Sequence, residues 1–339
     1  MFKSAIKKNL ECVKPLATAY KTPYSDELVT NMYSLFLINE DGWALTTKSV
    51  ANNIIVADKI HENYQKIREE LLANKVPPKR IYKNYKIKDN DPVILRNVFL
   101  NTLDSWDGLK IFTHEYLDLA LIKFENPSDF ACNKFPIFAK NNPEQGECLC
   151  RLGYPYPEFS AFRYDYMTKE LVLNRVIEYG LQVFPLDGMV TRYVADEKKN
   201  LTLFELSQAA FIGHTGGPII NDKGEIVGIQ MTAAYKDTFS DINAKIKRNQ
   251  KEIEINEYNF IPLSLCINVE TIKEFLDDYS KKMDSVYKLV SEEEFTKILS
   301  YENYVEDGPT FEKSTIFEKF LKVLYFMVLA LIINLSAFN

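Results

Sequence analysis

The sequence predicts an all-β fold, a pair of barrels or sandwiches with helices at the margins. Three observations predict it. Short apolar and aromatic runs recur along most of the chain, each bounded by turn residues. The stretch Phe211-Ile-Gly-His-Thr-Gly-Gly-Pro-Ile-Ile220 is a glycine-rich tight loop that runs into a short strand, then an Asn221–Gly224 turn and a second strand. Helical signals are confined to residues 58–74, to stretches that follow Asn268 and Ser291, and to the apolar tail at 321–338.

Taken in order, residues 14–22 and 33–39 read as strands. Asn39–Gly42 is a turn, and residues 43–47 form the next strand. Over 58–74, Ile60, Tyr64, Ile67 and Leu71 share one face at a 3.6-residue period, and the charged opposite face is solvated. Residues 93–95 and 110–112 are short strands. Leu117–Phe124 is a strongly apolar strand carrying one carboxylate, Asp118, which is expected to be exposed or paired because a lone buried charge is costly. Residues 141–146 form the crossing between two halves.

Strands follow at 147–153, 170–173, 188–192 and 201–205. Residues 233–258 are polar and carry Lys245, Lys247, Arg248 and Lys251. They read as a solvated loop, with contact to anionic lipid as the rarer alternative. Asn268 caps a helix whose Ile272, Phe275, Leu276 and Tyr279 share a face. Ser291-x-x-Glu294 opens a second short helix as a capping box, and Gly308-Pro309 ends it.

Composition narrows the function classes. A net charge of -6 gives no long-range attraction to nucleic acid, so no nucleic-acid partner is expected. The five cysteines are an odd number and too sparse for a disulfide framework. Cys148-x-Cys150 lies along one strand without a second pair, so neither a metal nor another cofactor is expected. Residues 1–10 contain no apolar core of a secretory signal, which together with reduced thiols points to the cytosol.

Residues 321–338 are apolar except for Lys322, Asn334 and Ser336. As a helix they rise about 27 Å, just short of the hydrocarbon core, and Lys322 can snorkel at the edge. Lys313, Lys319 and Lys322 all lie on the N-terminal side, so an anchor here would hold the rest of the chain at the cytoplasmic face. The alternatives are a helix buried against the fold and an oligomer-forming helix.

The loop around Thr215 resembles the Gly-x-Ser-Gly-Gly-Pro nucleophile loop of the trypsin-like serine endopeptidases, with Thr215 where the family has serine. Residues 36–46 resemble the strand, turn and strand that precede the family's histidine. The usual Leu-Thr-x-x-His-Val reads Leu45-Thr-Thr-Lys-Ser-Val50 here, which places Ser49 at the histidine position. Leu117–Ile122 matches the Asp-x-Ala-Leu strand and places Asp118 at the orienting carboxylate. Residues 150–158 and 184–192 look like a branch of bacterial trypsin-like peptidase-domain proteins. The similarity spans about residues 14–275.

The resemblance implies two six-stranded antiparallel β-barrels facing across a cleft. The first would occupy residues 1–140 with the helix 58–74 inserted, and the second 141–268. A helical linker (269–316) and a hydrophobic tail (317–339) would follow. It implies an oxyanion hole from the N–H groups of Gly213 and Thr215, and a substrate pocket at Ala209 and Ile229 that does not select Lys or Arg by charge. With His214 in place of aspartate before the nucleophile position, activation by clipping of an N-terminus is not expected.

Acyl transfer needs a nucleophile, a base and an orienting carboxylate. Of the three positions only Asp118 is kept. A serine hydroxyl is far too weak a base to replace imidazole near neutral pH, and the Thr215 methyl restricts its χ1. Of the three histidines, His61, His114 and His214, none is expected to substitute. Lys48 is the outside candidate, a base for Thr215 if desolvated, or else a partner that offsets Asp118. The expectation is therefore a catalytically impaired peptidase homologue that binds peptide or protein in the inter-barrel cleft at a membrane. The alternatives are a living endopeptidase using Thr215 with a non-histidine base, and a structural membrane-associated protein with a vestigial cleft.

Overall fold

The computed structural model describes residues 2–73, 75–130, 132–155, 162–173, 181–195, 202–237, 242–248, 251–257 and 260–286. They belong to one compact unit, residues 1–285, apart from the last residue of the final helix. The hydrophobic tail at 317–339 and the short helix expected from Ser291 lie outside the described residues.

A short helix α1 (Lys3–Asn9) opens the chain, followed by β1 (Val13–Lys21), β2 (Leu28–Leu37), β3 (Trp43–Thr46), α2 (Lys48–Ala73), α3 (Pro78–Asn84) and β4 (Ile94–Phe99). Then come β5 (Leu103–Ser105), β6 (Gly108–Thr113), β7 (Ala120–Glu125), β8 (Ser128–Phe130) and β9 (Ile137–Phe138). The first half is a six-stranded antiparallel sheet in the order β4-β1-β2-β3-β7-β6. Its edges β4 and β6 do not pair with each other. Helix α2 packs against β4, β6 and β7, so a helix covers the side that strand pairing leaves open.

The second half comprises β10 (Cys148–Gly153), β11 (Phe162–Asp165), β12 (Glu170–Leu173), β13 (Phe184–Val194), β14 (Leu203–Leu206), β15 (Pro218–Ile220), β16 (Glu225–Asp237), β17 (Ile242–Arg248), β18 (Lys251–Glu257), β19 (Phe260–Asn268) and α4 (Val269–Val286). Strands β15-β10-β13-β14-β19-β16 pair in that order, and β16 returns to β15, closing a six-stranded barrel. Closure removes the exposed edges that an open sheet would present. Strand β9 adds to β16 in parallel. Leu149, Val190, Phe204, Leu206, Ile219, Val227 and Cys266 fill its interior. The fold is thus mostly β with one closed barrel and one half-barrel, the two-barrel arrangement the sequence predicts, with the first barrel completed by α2.

Several boundaries differ from expectation. The helix expected over 58–74 starts at Lys48, ten residues earlier. Asn52, Asn53 and the β-branched run Ile54-Ile55-Val56 lower its intrinsic propensity. Tertiary burial of Val50, Ala51, Ile54 and Ala57 overrides that. The segment read as a solvated loop at 233–258 continues β16 to Asp237 and forms the β17–β18 hairpin. Helices α1 and α3 were not anticipated, both being only seven residues long. The cap of α4 is as expected: Asn268 Oδ1 accepts the Thr271 N–H at 2.9 Å, and Ile272 and Phe275 are buried.

The β11–β12 hairpin straps α2 to the sheet. Tyr64 and Arg68 on α2 donate to the Lys169 and Thr168 carbonyls, Arg68 pairs with Glu170 at 3.1 Å, and Arg96 on β4 donates to the Leu171 carbonyl. This fixes the helix whose first turn carries Ser49.

Candidate functional site

The register of the first sheet builds one side of the site. Thr46 at the end of β3 pairs with Ala120 at the start of β7, and Ala120 pairs with Thr113 at the end of β6. The residues just beyond these ends, Ser49 and Asp118, are therefore brought together from 69 positions apart in sequence. The Ser49 N–H donates to Asp118 Oδ1 at 2.6 Å and Ser49 Oγ donates to Oδ2 at 3.1 Å. Thr47 Oγ1 lies 3.0 Å from Ser49 Oγ and accepts the Val50 N–H at 3.4 Å.

These contacts satisfy the first turn of α2, whose N–H groups have no partner within the helix. A carboxylate there also complements the helix dipole. Burial pushes the Asp118 carboxyl above its ordinary range; the Ser49 hydrogen bonds and the Lys48 charge oppose that.

Asp118 does not lie within a strand, as the sequence led us to expect. Leu117–Leu119 is a tight turn ahead of β7, with the Leu119 N–H donating to the Leu117 carbonyl and the His114 N–H to the Leu119 carbonyl. His114 therefore sits on the same turn as Asp118. Its Nδ1 accepts the N–H groups of Tyr116 and Leu117 at 3.1 and 3.0 Å, so the imidazole shapes the turn that presents the carboxylate.

Lys48 Nζ reaches the His114 and Glu115 carbonyls at 3.1 and 3.3 Å. Burial lowers its pKa, with Asp118 and Glu115 opposing.

The other side of the site is the 211–217 loop. Gly213 has φ +105°, and a Cβ there would stand 2.1 Å from the Tyr154 carbonyl oxygen, so only glycine fits. Gly216, at φ +83°, would place a Cβ 2.2 Å from the Ser34 carbonyl oxygen and 2.3 Å from Thr46 Oγ1. The loop thus rests directly on the end of β3, three residues before Ser49.

Ser34 on β2, which sequence reasoning missed, ties the two halves. Its N–H donates to the Thr215 carbonyl at 2.9 Å. Its Oγ donates to the Gly213 carbonyl at 2.6 Å and accepts the Tyr154 N–H at 3.2 Å. No motif marks a serine that works from a neighbouring strand.

Within the loop, the N–H groups of His214, Gly216 and Gly217 donate to the carbonyls of Phe211, Gln230 and His214. Those of Gly213 and Thr215 have no acceptor among the described residues. Thr215 is half-buried, and its hydroxyl likewise makes no hydrogen bond to a described residue. The His214 side chain is buried between Phe211 and Phe184. Its Nδ1 accepts the Phe211 N–H at 3.3 Å, so Nε2 carries the proton donated to the Phe184 carbonyl at 3.1 Å. Burial drives its pKa down to about 4. His61 is on α2 against Gln65 at 3.0 Å.

Of the pocket residues, Ala209 is half-buried. Ile229 is fully buried in β16, paired with Pro218 and Ile267, and presents no surface. No cluster of three or more metal-ligating side chains occurs among the described residues.

A half-barrel and a closed barrel joined through a glycine loop, with Asp118 at the end of the first, define the chymotrypsin-like fold class of the serine peptidases. The family model of the trypsin-like peptidase domain matches residues 34–229, more than half of the chain, and the protein belongs to that family. A comparison with curated proteins gives no significant match.

Proposed function

We propose that the protein is a catalytically impaired trypsin-like peptidase homologue that binds a peptide or protein segment in its cleft, held at the cytoplasmic face of a membrane by residues 321–338. One relationship carries the loss of catalysis: Ser49 occupies both oxygens of Asp118, and each imidazole is engaged with other groups, His214 with Phe184, His114 with Tyr116 and Leu117, and His61 with Gln65. Without an imidazole against Thr215 there is no base to take the hydroxyl proton and later protonate the leaving amine. Losses of this kind cost up to about 10⁶ in turnover.

Binding is another matter. The open N–H groups of Gly213 and Thr215 can donate to a ligand carbonyl oxygen without any proton transfer, which supports an oxyanion-type contact. Asp118 then serves chiefly as the acceptor that fixes α2, and Thr215 as part of the loop that the ligand meets.

Restoring the two missing groups tests this directly. The wild type should show no amidase activity above background on a mixed peptide-amide substrate pool. Ser49→His with Thr215→Ser should gain about 10²-fold or more. Wild-type turnover abolished by Thr215→Ala would overturn the assignment.

The depressed pKa of Lys48 favours a second reading, an active endopeptidase with Thr215 as nucleophile and Lys48 as base. A fluorophosphonate probe would then label Thr215. Absence of labelling at high probe concentration would remove that possibility.

A further inference from the structure

Arg151 is a buried charge for which the described residues supply no counter-ion. On β10 it shares a face with Leu149, pointing into the second barrel, and it is 0% exposed. Nη2 donates to the Gln208 carbonyl at 2.8 Å and Nη1 to Ser264 Oγ, which in turn donates to the same carbonyl at 2.6 Å. Nε is buried with no hydrogen-bond partner among the described residues. No ion pair among the described residues includes Arg151. Asp187, on the exposed surface of β13, influences it only from beyond ion-pair distance.

A guanidinium cannot shed its proton to escape this situation, and an ion buried without its opposite charge carries an uncompensated desolvation cost. Two neutral oxygens and an idle Nε are a poor return for that cost. The position explains it. Gln208 is exposed, lies directly before Ala209, and begins the segment that runs into Gly213 and Thr215. Arg151 therefore sits one hydrogen bond beneath the segment proposed to wall the ligand pocket, at the end of the barrel from which that segment leaves.

We propose that Arg151 is a specificity residue that selects an acidic side chain, Glu or Asp, as the anchor of the bound peptide. The ligand carboxylate would take the place of the Gln208 carbonyl and engage the guanidinium, including Nε. Because Arg151 is covered in the free protein, the Gln208 segment must turn aside as the anchor enters. Exchange of a neutral acceptor for a charged one drives that movement, since charge-assisted bonds are roughly twice as strong. The bland possibility, an arginine that merely ties the barrel end together, predicts no charge preference in the ligand.

This specificity rests on the peptide-binding role proposed above, and the test separates the two. Full-length protein in detergent is titrated with fluorescent, amidated hexapeptide pools, each fixed as Glu, Asp, Gln, Lys or Leu at one position and degenerate at the rest. The Glu or Asp pools should bind about tenfold or more tightly than the Gln pool, and the Lys pool should bind weakest. Arg151→Met should abolish the Glu-over-Gln preference while leaving the Leu pool unchanged. If methionine disrupts folding, Arg151→Lys keeps the charge without the planar fork and should reduce the preference severalfold. Binding with equal affinity for Glu and Gln pools would overturn the role of Arg151 and leave the peptide-binding proposal intact. No binding by any pool would overturn both.

Discussion

Asp118 holds Ser49 by two hydrogen bonds, one to the main-chain N–H at 2.6 Å and one to Oγ at 3.1 Å. The carboxylate is thereby committed to the first turn of α2. Its removal should be felt as lost stability whether or not the protein turns over a substrate. Asp118→Ala strands the Ser49 N–H at the helix terminus and should cost about 1–3 kcal/mol, read as a lower urea midpoint. Asp118→Asn keeps an acceptor and should cost less.

The two Asp118 variants also differ from the wild type in pH dependence. Burial raises the folded pKa of Asp118, so the folded state takes up its proton before the unfolded state does as pH falls. The native state then binds more protons, and this group favours folding increasingly toward acid. Lowering pH from 7 toward 4 should therefore shift the difference between wild type and Asp118→Asn in favour of the wild type. A constant difference across that range would show that burial does not bias the carboxyl.

His214 acts with the opposite sign. Its folded pKa is lowered to about 4 from an unperturbed 6.5. Between those values the unfolded chain holds a proton that the folded chain refuses, so stability falls as pH drops, by about 3 kcal/mol over the window. His214→Leu loses the bonds to Phe211 and Phe184 and should be less stable at pH 7, yet its stability should decline much less between pH 7 and 4. Urea midpoints at stepped pH distinguish the two behaviours.

Ser34→Ala removes the hydroxyl that donates to the Gly213 carbonyl, while the Tyr154 N–H remains on that carbonyl at 3.0 Å. The cost should be about 1 kcal/mol. The larger effect should appear in dynamics: hydrogen exchange at residues 213–217 should quicken, with exchange in β10 unchanged. Unaltered exchange in the loop would mean that Gly216, wedged against β3, suffices to hold it.

Truncation after residue 316 tests the tail. Full-length protein should sediment with membranes and require detergent for release, and the truncated chain should stay in the supernatant with an unchanged urea midpoint. A helix buried against the fold would give the reverse, a soluble full-length protein and a destabilised truncation.

The sequence by itself determined the β architecture, the glycine loop and the identities at the family's three site positions. Those are written in local pattern: short apolar runs, turn residues, and glycines whose spacing no side chain could replace. What Asp118 does with Ser49, which groups the three imidazoles meet, and that Arg151 lies inside the second barrel without an ion pair among the described residues depended on tertiary structure. Strand register joins residues dozens of positions apart, and burial alone turns an ordinary arginine into an expensive charge. The early start of α2 has the same origin, since packing of Val50, Ala51 and Ile54 outweighs a local preference against helix.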